Sequence, residues 1–472
     1  MRLASILDRL NDARLVGDAD VDVVDVCFDS RDVVADSLFC CVRGATSDGH
    51  AHAVEAISAG AVAVLVDHEL DVGVPQIVVP DVRAAMAFAA AAVHGDPSRT
   101  LSIIGVTGTN GKTTTTHLVR SIVEAAGRRV ELLGTLSGAR TTPEAPDLQR
   151  LLARWRDDGV EIVAMEVSSH ALDLHRVDGV RFRVAVFTNL SRDHLDHHRT
   201  MEEYFAAKAR LFTPELADEA VVNLDSPHGR LLADVAAIPT DGYSLDEVTD
   251  VDRSIESTTF TWRDRSVHLG MGGLHNVANS LAAAHAALAV GIDEATIAAG
   301  LSASVVVPGR FEAVEAGQPF DVVVDYAHTP DGLENLLEAA DALVGDGRVI
   351  VVFGCGGDRD ASKREPMGEV AARGADIVVL TSDNSRSEST DAILAAIVGG
   401  VERVADRRAA AVIVQPDRRS AIAEALRLGR AGDVVLVAGK GHETTQTIGA
   451  STIEFDDRVV VVEEWKRLET AA

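Results

Sequence analysis

Short apolar runs alternate with amphipathic stretches along this chain. Near the N-terminus, "HAVEAISAG" (residues 52–60) has helical periodicity and ends at a glycine, and the following "AVAVLVD" is typical of a buried strand. "GDPSRT" (residues 95–100) then supplies a cluster of turn residues. We therefore predict a smaller N-terminal α/β domain over residues 1–97.

From residue 101 the order becomes strand, glycine loop, helix and strand. "LSIIGVT" predicts a strand, residues 112–126 predict a helix that ends at Gly127, and "EIVAMEV" and "RVAVFTNL" are further apolar runs of strand length. Polar, β-like sequence follows at residues 238–270, and an alanine-rich helix is predicted at 276–290. This alternation is typical of a parallel sheet. We predict a central domain over residues 98–307, a P-loop-type parallel sheet with helices on both faces.

The last third of the chain repeats the α/β rhythm and predicts a Rossmann-like domain over residues 308–472. The strands are "FDVVVDYAH", "RVIVVFGCGG", "ADIVVLTSD" and "DVVLVAGKGH". Ligands of open α/β sheets gather beyond the carboxyl ends of the strands. Those ends carry many polar side chains, namely Asp325, His328, Asp358, Arg359, Asp383, Asn384, Lys440, His442 and Glu443. The predicted fold is therefore α/β with three domains.

The charge of the chain restricts its partners. The formal net charge is -29 over 472 residues, which disfavours binding to nucleic acid or an anionic membrane. The longest aliphatic run, residues 84–93, is about half of what a membrane span needs, and the N-terminus lacks the apolar core of a secretory signal. We expect a cytoplasmic protein. Its four cysteines lack metal-site spacing and are expected to be buried thiols: Cys27, Cys40, Cys41 and Cys355.

Lysine is rare in this chain. Only five of the 44 basic residues are lysine, at positions 112, 208, 363, 440 and 466. Lysine is a compact charge with a reactive amine, and arginine offers neither property. We expect a chain that otherwise uses arginine to keep lysine where lysine chemistry is needed.

"VTGTNGKTTTTHLV" (residues 106–119) carries the strongest chemical signal. Gly111, Lys112 and Thr113 fit the end of a P-loop pattern, although Val106 takes the place of its first glycine. The loop amides and the following helix N-terminus would hold phosphates, Lys112 would meet the terminal phosphates, and a threonine hydroxyl would meet Mg²⁺. A chance glycine turn is the alternative. The predicted ATP-binding residues here are Gly108, Thr109, Asn110, Gly111, Lys112, Thr113 and Thr114.

Two further strand ends carry candidate metal ligands. "MEVSSHALDLHRV" places Glu166 at a strand end, and "TNLSRDHLDHH" does so with Asp193, His194 and Asp196. Carboxylate and imidazole groups at neighbouring strand ends are suited to a Mg²⁺ ion that bridges nucleotide oxygens. Alone, each is more typical of a surface loop, and the nearby P-loop favours the metal site. Lys208 lies on a predicted amphipathic helix, where a solvated lysine paired with a carboxylate is the ordinary alternative.

Taken together, these motifs resemble the Mur ligases, and the muramoyl-tripeptide synthetase type in particular. The resemblance rests on "GTNGKTT", "EVSSHAL", "FTNLSRDHLDHH" and "YFAAKARLF" in this order, and on "FDSRDVVADSLFCCVRGATSDGH" before them. Later motifs are "LHNVANSLAAAHAAL", "VPGRFEAV", "VVDYAHTPDGLENLL", "FGCGGDRDASKR" and "VAGKGHETTQ". The resemblance covers about residues 25–447, which is nearly the whole chain.

This resemblance implies an ATP-dependent ligase that needs Mg²⁺. The enzyme would join a diamino acid to the D-glutamate of UDP-N-acetylmuramoyl-L-alanyl-D-glutamate through an acyl phosphate, in peptidoglycan precursor synthesis. Its partners would be these small molecules, with no nucleic acid or membrane, and we expect a monomer.

The resemblance also assigns roles to individual residues. Thr113, Glu166 and His194 would bind Mg²⁺. Lys208 would be carbamylated to N6-carboxylysine and would bind a second Mg²⁺. The catalytic residues would be Lys112, Glu166, His194 and Lys208. Four residues would complete the ATP site: Asn276, Arg310, Asp325 and His328. The UDP-muramoyl substrate would contact Phe28, Ser30, Ala45, Thr46, Ser47, Thr141, Thr142, Ser168, Leu174 and Arg176.

The amino-acid motif departs from the family pattern. Members that add diaminopimelate carry Asp-Asn-Pro-Arg, and this chain has Asp383, Asn384, Ser385 and Arg386. The fork of Arg386 suits the distal carboxylate of meso-2,6-diaminopimelate, which lysine lacks. Serine does not fix the backbone as proline does. Arg199 and Glu365 also replace a usual glycine and a usual proline. The predicted amino-acid site is completed by Arg359, Gly439 and Glu443.

Two alternatives to this function remain open. A Mur-like ligase could add L-lysine or another amino acid, or act on another acid such as a folate or cyanophycin-type substrate; the DSR…DGH stretch favours the UDP-muramoyl substrate. A non-enzymatic nucleotide-binding scaffold would be expected to have lost one of four residues, and this chain keeps them all: Lys112, Glu166, His194 and Lys208.

Overall fold

The computed structural model describes residues 1–44, 47–138 and 140–471. The predicted substrate residues Ala45 and Thr46 lie outside the described residues. Within the described part, no helix combines the length and the apolar character that a membrane crossing requires. All four cysteines are buried and free, as predicted.

The first sheet has five strands in the order β1-β5-β4-β3-β2. β1 pairs antiparallel with β5, and the other pairs are parallel. The predicted helix over residues 52–60 ends at Gly60, whose φ of +119° suits glycine. Its strands are β1 (Arg14–Val16), β2 (Asp25–Cys27), β3 (Ser37–Cys40), β4 (Ala61–Val66) and β5 (Gln76–Val78), and its helices are α1 (Leu3–Leu7), α2 (Ala53–Ala59) and α3 (Val82–Val93).

The second sheet has six parallel strands in the order β11-β10-β9-β6-β8-β7. Its strands are β6 (Ser102–Thr107), β7 (Val130–Leu133), β8 (Ile162–Glu166), β9 (Phe182–Phe187), β10 (Ala217–Asn223) and β11 (Thr240–Tyr243). A separate antiparallel sheet follows, with β12 (Val248–Arg253), β13 (Thr258–Trp262) and β14 (Arg265–Leu269).

Helices cover both faces of the second sheet, as predicted. Leu118 and Leu281, from two helices, belong to the core on one face, and Leu148 and Leu152 belong to the core on the other. The helices are α4 (Lys112–Ala125), α5 (Ala145–Asp157), α6 (Ser169–Asp173), α7 (Leu195–His198), α8 (Met201–Ala209), α9 (Pro227–Val235), α10 (Leu274–Ala289) and α11 (Glu294–Ser302).

The third large sheet has the order β15-β16-β20-β17-β18-β19, and only β15 is antiparallel to its neighbour. The strands are β15 (Glu312–Ala313), β16 (Asp321–Asp325), β17 (Val349–Phe353), β18 (Ile377–Leu380), β19 (Ala411–Val414) and β20 (Val434–Ala438), and a hairpin of β21 (Thr445–Ile448) and β22 (Ser451–Glu454) follows. The helices are α12 (Pro330–Asp341), α13 (Arg364–Gly374), α14 (Thr390–Glu402), α15 (Arg418–Leu428) and α16 (Asp457–Ala471).

The predicted α/β class with three domains is confirmed, with one large sheet in each domain. The predicted boundaries at 97/98 and 307/308 fall between the strands of these sheets, and their exact positions stay a prediction. The second and third domains meet at the carboxyl ends of their parallel strands. Asn110 Nδ2, after β6, donates to Asp331 Oδ2 at the start of α12 over 2.9 Å. Ligands of such sheets gather at this edge.

Candidate active site

The loop between β6 and α4 has a backbone that requires glycine at two positions. Gly108 and Gly111 have φ of +150° and +85°. A Cβ atom would lie 1.9 Å from Thr188 Oγ1 at the first position and 2.3 Å from Asn279 Oδ1 at the second. The loop is further fixed by Asn189, whose Oδ1 accepts a hydrogen bond from Asn110 N over 2.9 Å. The neighbouring segments therefore hold this loop in one shape.

Lys112 lies over its own loop. Its Nζ donates to the carbonyl oxygens of Gly108 and Thr109 over 2.9 and 2.8 Å. Burial lowers the pKa of Lys112, and the carboxylate of Glu166 opposes that change. The amine therefore lies at the N-terminus of α4, where a bound phosphate would meet it.

Glu166 is a buried carboxylate beside this helix N-terminus. It ends β8, and its Oε1 accepts hydrogen bonds from Thr113 Oγ1 (2.9 Å) and Thr135 N (2.8 Å). Arg310 Nη2, from the third domain, also donates to Thr113 Oγ1 over 3.2 Å. A carboxylate and a hydroxyl are the oxygen donors that Mg²⁺ prefers. The donors present fit the predicted metal.

His194 lies in the loop after β9. Its backbone has φ of +57°, and its Nε2 is 3.4 Å from Asp193 Oδ2. Burial lowers the pKa of His194 to about 3, although the Asp193 carboxylate acts against this change. The imidazole is therefore neutral at pH 7, and the neutral form has the lone pair that binds a metal.

Lys208 is buried, so the interpretation as a solvated surface lysine is wrong. Only 1% of it is exposed, and its Nζ donates to the same Gly108 oxygen over 2.8 Å. Nζ lies 4.6 Å from the centre of the Tyr204 ring. Burial and the neighbouring Lys112 ammonium hold the pKa of Lys208 well below its usual value. A neutral amine is the nucleophilic form of lysine.

A cleft of about 510 Å³ opens between the second and third domains. Its size is within the range of small-molecule sites, about 300–1,000 Å³. Six predicted ATP-site residues line it: Asn110, Gly111, Thr114, Asn276, Arg310 and Asp325. Tyr243, Leu245 and Asp331 also line it, and none of these three was predicted from the sequence.

Contacts with neighbouring groups position the side chains of this cleft. Asn276 Nδ2 donates to Gly272 O over 2.8 Å, and Asp325 accepts from the amides of Phe311 (2.6 Å) and Ala327 (2.7 Å). Burial raises the pKa of Asp325. The Arg310 guanidinium lies 4.3 Å from the centre of the Tyr326 ring. Its Nε is buried with no hydrogen-bond partner among the described residues, which leaves a donor for an anionic ligand.

A second cleft, of about 220 Å³, adjoins the His194 loop. Six of the seven predicted amino-acid residues line it: Arg359, Asp383, Asn384, Arg386, Gly439 and Glu443. The predicted ATP residue His328 lies here rather than in the larger cleft, together with Asp193, His194 and Lys363. Ser385 does not line this cleft. It is 1% exposed, and its hydroxyl is 2.7 Å from Thr390 Oγ1.

The charged groups of the second cleft are partly paired. Glu443 Oε2 accepts hydrogen bonds from Asn384 Nδ2 and Lys440 Nζ, both over 2.8 Å. Arg386, with φ of +50°, donates from Nη1 to Gly357 O over 2.7 Å. Because an arginine side chain has five N–H donors, Arg386 keeps donors for a ligand. The cleft thus offers both a guanidinium and a carboxylate to a bound amino acid.

The predicted UDP-muramoyl residues form two groups on two domains. In the first domain, Ser30 Oγ donates to Glu55 Oε2 (2.9 Å) and Ser47 Oγ lies 3.1 Å from His52 Nε2. Phe28 is half-buried against the core of that domain.

The other group surrounds the end of β8. Thr142 Oγ1 donates to Glu166 O over 2.9 Å, and Arg176 Nη1 donates to Thr142 O over 3.1 Å. Ser168 is the N-cap of α6 and Leu174 is its C-cap. Thr141 Oγ1 lies 3.1 Å from Thr135 Oγ1. Glu144 links this group to the first domain, because it pairs with both Arg176 (2.9 Å) and Arg83 of α3 (3.2 Å).

Several residues of the site were not selected from the sequence. Asp331 has a weak sequence signal, an acidic residue in the first turn of a helix, and its contact with Asn110 exists only in the folded chain. Tyr204 begins the quoted motif "YFAAKARLF" but was given no role there, and its hydroxyl lies 3.1 Å from Thr109 Oγ1. Lys363 is one of the five lysines and lies in the quoted motif "FGCGGDRDASKR", but it was given no role.

Comparison with known proteins shows the family to which the chain belongs. Three family models match the chain: "Mur ligase family, catalytic domain" at residues 23–94, "Mur ligase middle domain" at 106–287, and "Mur ligase, glutamate ligase domain" at 309–441. Two similar proteins are UDP-N-acetylmuramoyl-L-alanyl-D-glutamate–2,6-diaminopimelate ligases. The one from Syntrophomonas wolfei is 43% identical and covers 98% of this chain and 99% of its own. The one from Streptomyces coelicolor is 43% identical, with 98% and 96% covered.

Solved structures show the same architecture. A structure of a UDP-N-acetylmuramoyl-L-alanyl-D-glutamate–2,6-diaminopimelate ligase has a TM-score of 0.68 and 32% identity and covers 99% of both chains. The MurF ligase from Thermotoga maritima in complex with ADP has a TM-score of 0.64 and 21% identity, with 95% and 98% covered, and shows the shared fold. The chain belongs to the Mur ligase family and is an ATP-dependent ligase.

Proposed function

We propose that this protein uses ATP to join meso-2,6-diaminopimelate to the D-glutamate of UDP-N-acetylmuramoyl-L-alanyl-D-glutamate. The main support is the lining of the second cleft, where Arg386 and Glu443 lie beside the His194 loop of the ATP-binding domain. The names of the full-length relatives support the same reaction. The product would be a peptidoglycan precursor. A cytoplasmic location and a monomeric state stay predictions from the sequence.

ATP makes the glutamyl carboxylate reactive in this proposal. The carboxylate oxygen attacks the γ-phosphorus, ADP leaves, and an acyl phosphate forms. The amine of diaminopimelate then attacks the acyl carbon, and the tetrahedral intermediate expels inorganic phosphate and loses a proton. Lys112 and the amides at the N-terminus of α4 would stabilise the negative charge on the transferring phosphoryl group.

Thr113, Glu166 and His194 would hold Mg²⁺, and a carbamylated Lys208 would serve a second Mg²⁺. The support is the buried carboxylate, the hydroxyl beside it and the neutral imidazole. When bound, the ions would neutralise charge on the phosphates. The three side chains come from α4, β8 and the loop after β9, so the fold of the second domain alone positions them.

The carbamate on Lys208 would form from the neutral amine. Nζ attacks carbon dioxide, an N–C bond forms and the nitrogen loses a proton, which leaves a carboxylate on the side chain. The lowered pKa of Lys208 favours this step, because a protonated amine has no lone pair for it. Arginine does not offer this reaction, which accounts for a lysine at this position.

Arg386 and Glu443 would select the amino acid. The guanidinium of Arg386 would pair with the distal carboxylate of diaminopimelate, and the Oε1 atom of Glu443, which has no hydrogen-bond partner among the described residues, would accept from the distal ammonium. L-lysine would leave Arg386 without this partner. Ser385 in place of proline keeps L-lysine as the second candidate substrate.

The direct test is purified protein with ATP, UDP-N-acetylmuramoyl-L-alanyl-D-glutamate and a panel of amino acids, with the products identified by mass spectrometry. We expect the adduct of diaminopimelate and ADP as the second product. Ligation of L-lysine only, or ligation to a folate-type acid and not to the muramoyl dipeptide, would replace the proposal. The acyl phosphate is tested separately with ¹⁸O in the glutamyl carboxylate, since this route transfers one ¹⁸O to inorganic phosphate.

A further inference from the structure

The hairpin β21–β22 is bonded to the loop that carries Arg386. Thr447 N donates to Asn384 Oδ1 (2.9 Å), and Arg386 N donates to Thr447 O (3.2 Å). Gly449 N donates to Arg386 O over 2.7 Å, and Arg386 pairs with Ile448 as an isolated parallel bridge. Arg386 is thus paired with β21 along one side, as a one-residue parallel bridge.

Gln446 adds a buried side-chain contact to this backbone pairing. It is 3% exposed, and its Nε2 donates to Ser382 Oγ over 3.0 Å and to Asp383 O over 3.2 Å. Both acceptors lie directly before the Asn384–Arg386 segment. Gln446 therefore fixes the start of the loop, while the backbone of β21 fixes its end.

The loop needs such support because Arg386 has an unfavourable backbone. Its φ of +50° is a left-handed conformation, which is unfavourable for a residue other than glycine. Proline at position 385 would restrict the loop covalently. This chain has Ser385 there, and the serine N–H makes no hydrogen bond within the described residues.

We propose that the hairpin holds the Asp383–Arg386 loop in the position needed for amino-acid selection. Gln446 is the positioning residue of the hairpin. Gln446 holds the Asp383–Arg386 loop so that the Arg386 guanidinium meets the distal carboxylate of the substrate. The hydrogen bonds of the hairpin hold the loop at the position where this chain has Ser385. This inference rests on the proposed function, because it refers to the same amino-acid site.

The test is Gln446→Ala, with Ser451→Ala at an exposed position of the same hairpin as the control. We expect Gln446→Ala to raise KM for diaminopimelate and to lower the preference for diaminopimelate over L-lysine, each by roughly tenfold to a hundredfold, because small displacements of a binding group are costly. KM for ATP should be unchanged, since the ATP-site cleft is lined by other residues. Ser451→Ala should behave as wild type.

A second variant separates positioning from loss of structure. Ser385→Pro in the Gln446→Ala protein should restore KM for diaminopimelate, because proline restricts the loop without removing a hydrogen bond. If Gln446→Ala leaves KM for diaminopimelate and the preference over L-lysine unchanged, the positioning role of Gln446 is overturned. A loss of activity that is equal for both amino acids, and that Ser385→Pro does not restore, would also overturn it.

The two proposals fail in different ways. The choice of diaminopimelate by the wild-type protein tests the proposed function. The positioning role of Gln446 is tested by the change in KM that Gln446→Ala causes, measured with whichever amino acid the wild-type protein accepts.

Discussion

At the scale of single residues, the scarcity of lysine helped to predict which side chains lie in the active site. Lys208, Lys363 and Lys440 are buried, Lys112 is half-buried, and only Lys466 is exposed. Lysine is rarely buried without a specific role or partner. The rarity of lysine thus pointed to the site, but it did not show that Lys208 and Lys112 share the Gly108 carbonyl. That contact joins residues about 100 positions apart in the chain and depends on the folded loop.

Lys112→Ala is expected to lower kcat/KM for ligation by about two to three orders of magnitude, because it removes charge stabilisation from the transferring phosphoryl group. The fold should persist, since Lys112 bonds only to its own loop within the described residues. Steady-state ADP release and circular dichroism measure the two effects. Lys466→Ala, at an exposed position, is the control, and near-normal ligation by Lys112→Ala would contradict the phosphate role.

Lys208→Ala is expected to lower kcat by about two orders of magnitude or more, because the carbamate and the metal that it serves would be lost. Lys208→Arg should be equally inactive, since arginine forms no carbamate. Acetate or bicarbonate should restore part of the activity of Lys208→Ala. ¹³C NMR of the active wild-type enzyme in ¹³C-bicarbonate should show a carbamate carbon that Lys208→Arg lacks. An active enzyme with no such signal would argue against the modification.

At the scale of helices and strands, periodicity predicted most elements because each buries an apolar face. The strands β6, β8, β9, β16, β17, β18 and β20 lie where apolar runs predicted them. Helix ends were less exact: α10 begins at Leu274 rather than 276, after Gly273. The hairpin β21–β22 was not predicted, because most of its residues are polar and its pairing partner, Arg386, is distant in sequence.

In α10, a buried histidine makes contacts that were not predicted from the sequence. His285 is buried, with Nδ1 2.7 Å from Asp241 Oδ2 and Nε2 2.9 Å from Glu247 Oε2. Burial disfavours the charged imidazole, but the two carboxylates outweigh burial and raise the pKa of His285 above its ordinary value. The imidazolium ties α10, which bears Asn276, to the segment with Tyr243 and Leu245 that lines the ATP-site cleft.

His285→Gln should destabilise the protein by about 1–3 kcal/mol at pH 6, because it removes a charged hydrogen-bond partner of two carboxylates. A raised pKa means that the stabilisation is fully present below the unfolded value, about 6.5, and is lost as the pH rises through the folded value. The difference in free energy of unfolding between wild type and variant should therefore shrink towards pH 9. Urea unfolding at several pH values measures it, with the exposed His268→Gln as control. A difference that grows with pH would contradict a charged His285.

At the scale of the whole molecule, the site lies between domains and combines elements from both. The sequence predicted which strand ends carry polar groups, but not which ends would meet. Among the described residues, three polar side-chain contacts cross from the second domain to the third: Asn110 to Asp331, Thr113 to Arg310, and Asp193 to His328 at 3.8 Å. Each joins residues more than 130 positions apart, so only the packing of the domains could reveal it. This packing also places His328 in the smaller cleft.

The packing of the domains also accounts for ligand binding by so acidic a chain. The net charge is -29, yet Lys112, Arg310, Arg359, Lys363 and Arg386 all lie at or beside the two clefts. Local cations and metal ions, rather than the overall field, would therefore hold ATP and the substrate carboxylates.

The proposed selection of diaminopimelate depends on Arg386 in the second cleft. The measurement is kcat/KM for meso-diaminopimelate and for L-lysine, in wild type, in Arg386→Ala and in a control, Arg407→Ala, at an exposed position of the same domain. Wild type and control should prefer diaminopimelate strongly, up to roughly 10⁴-fold for a site built to pair a polar group, and Arg386→Ala should lose most of that preference. A wild type that prefers lysine, or an Arg386→Ala variant with an unchanged ratio, would show that Arg386 does not select diaminopimelate.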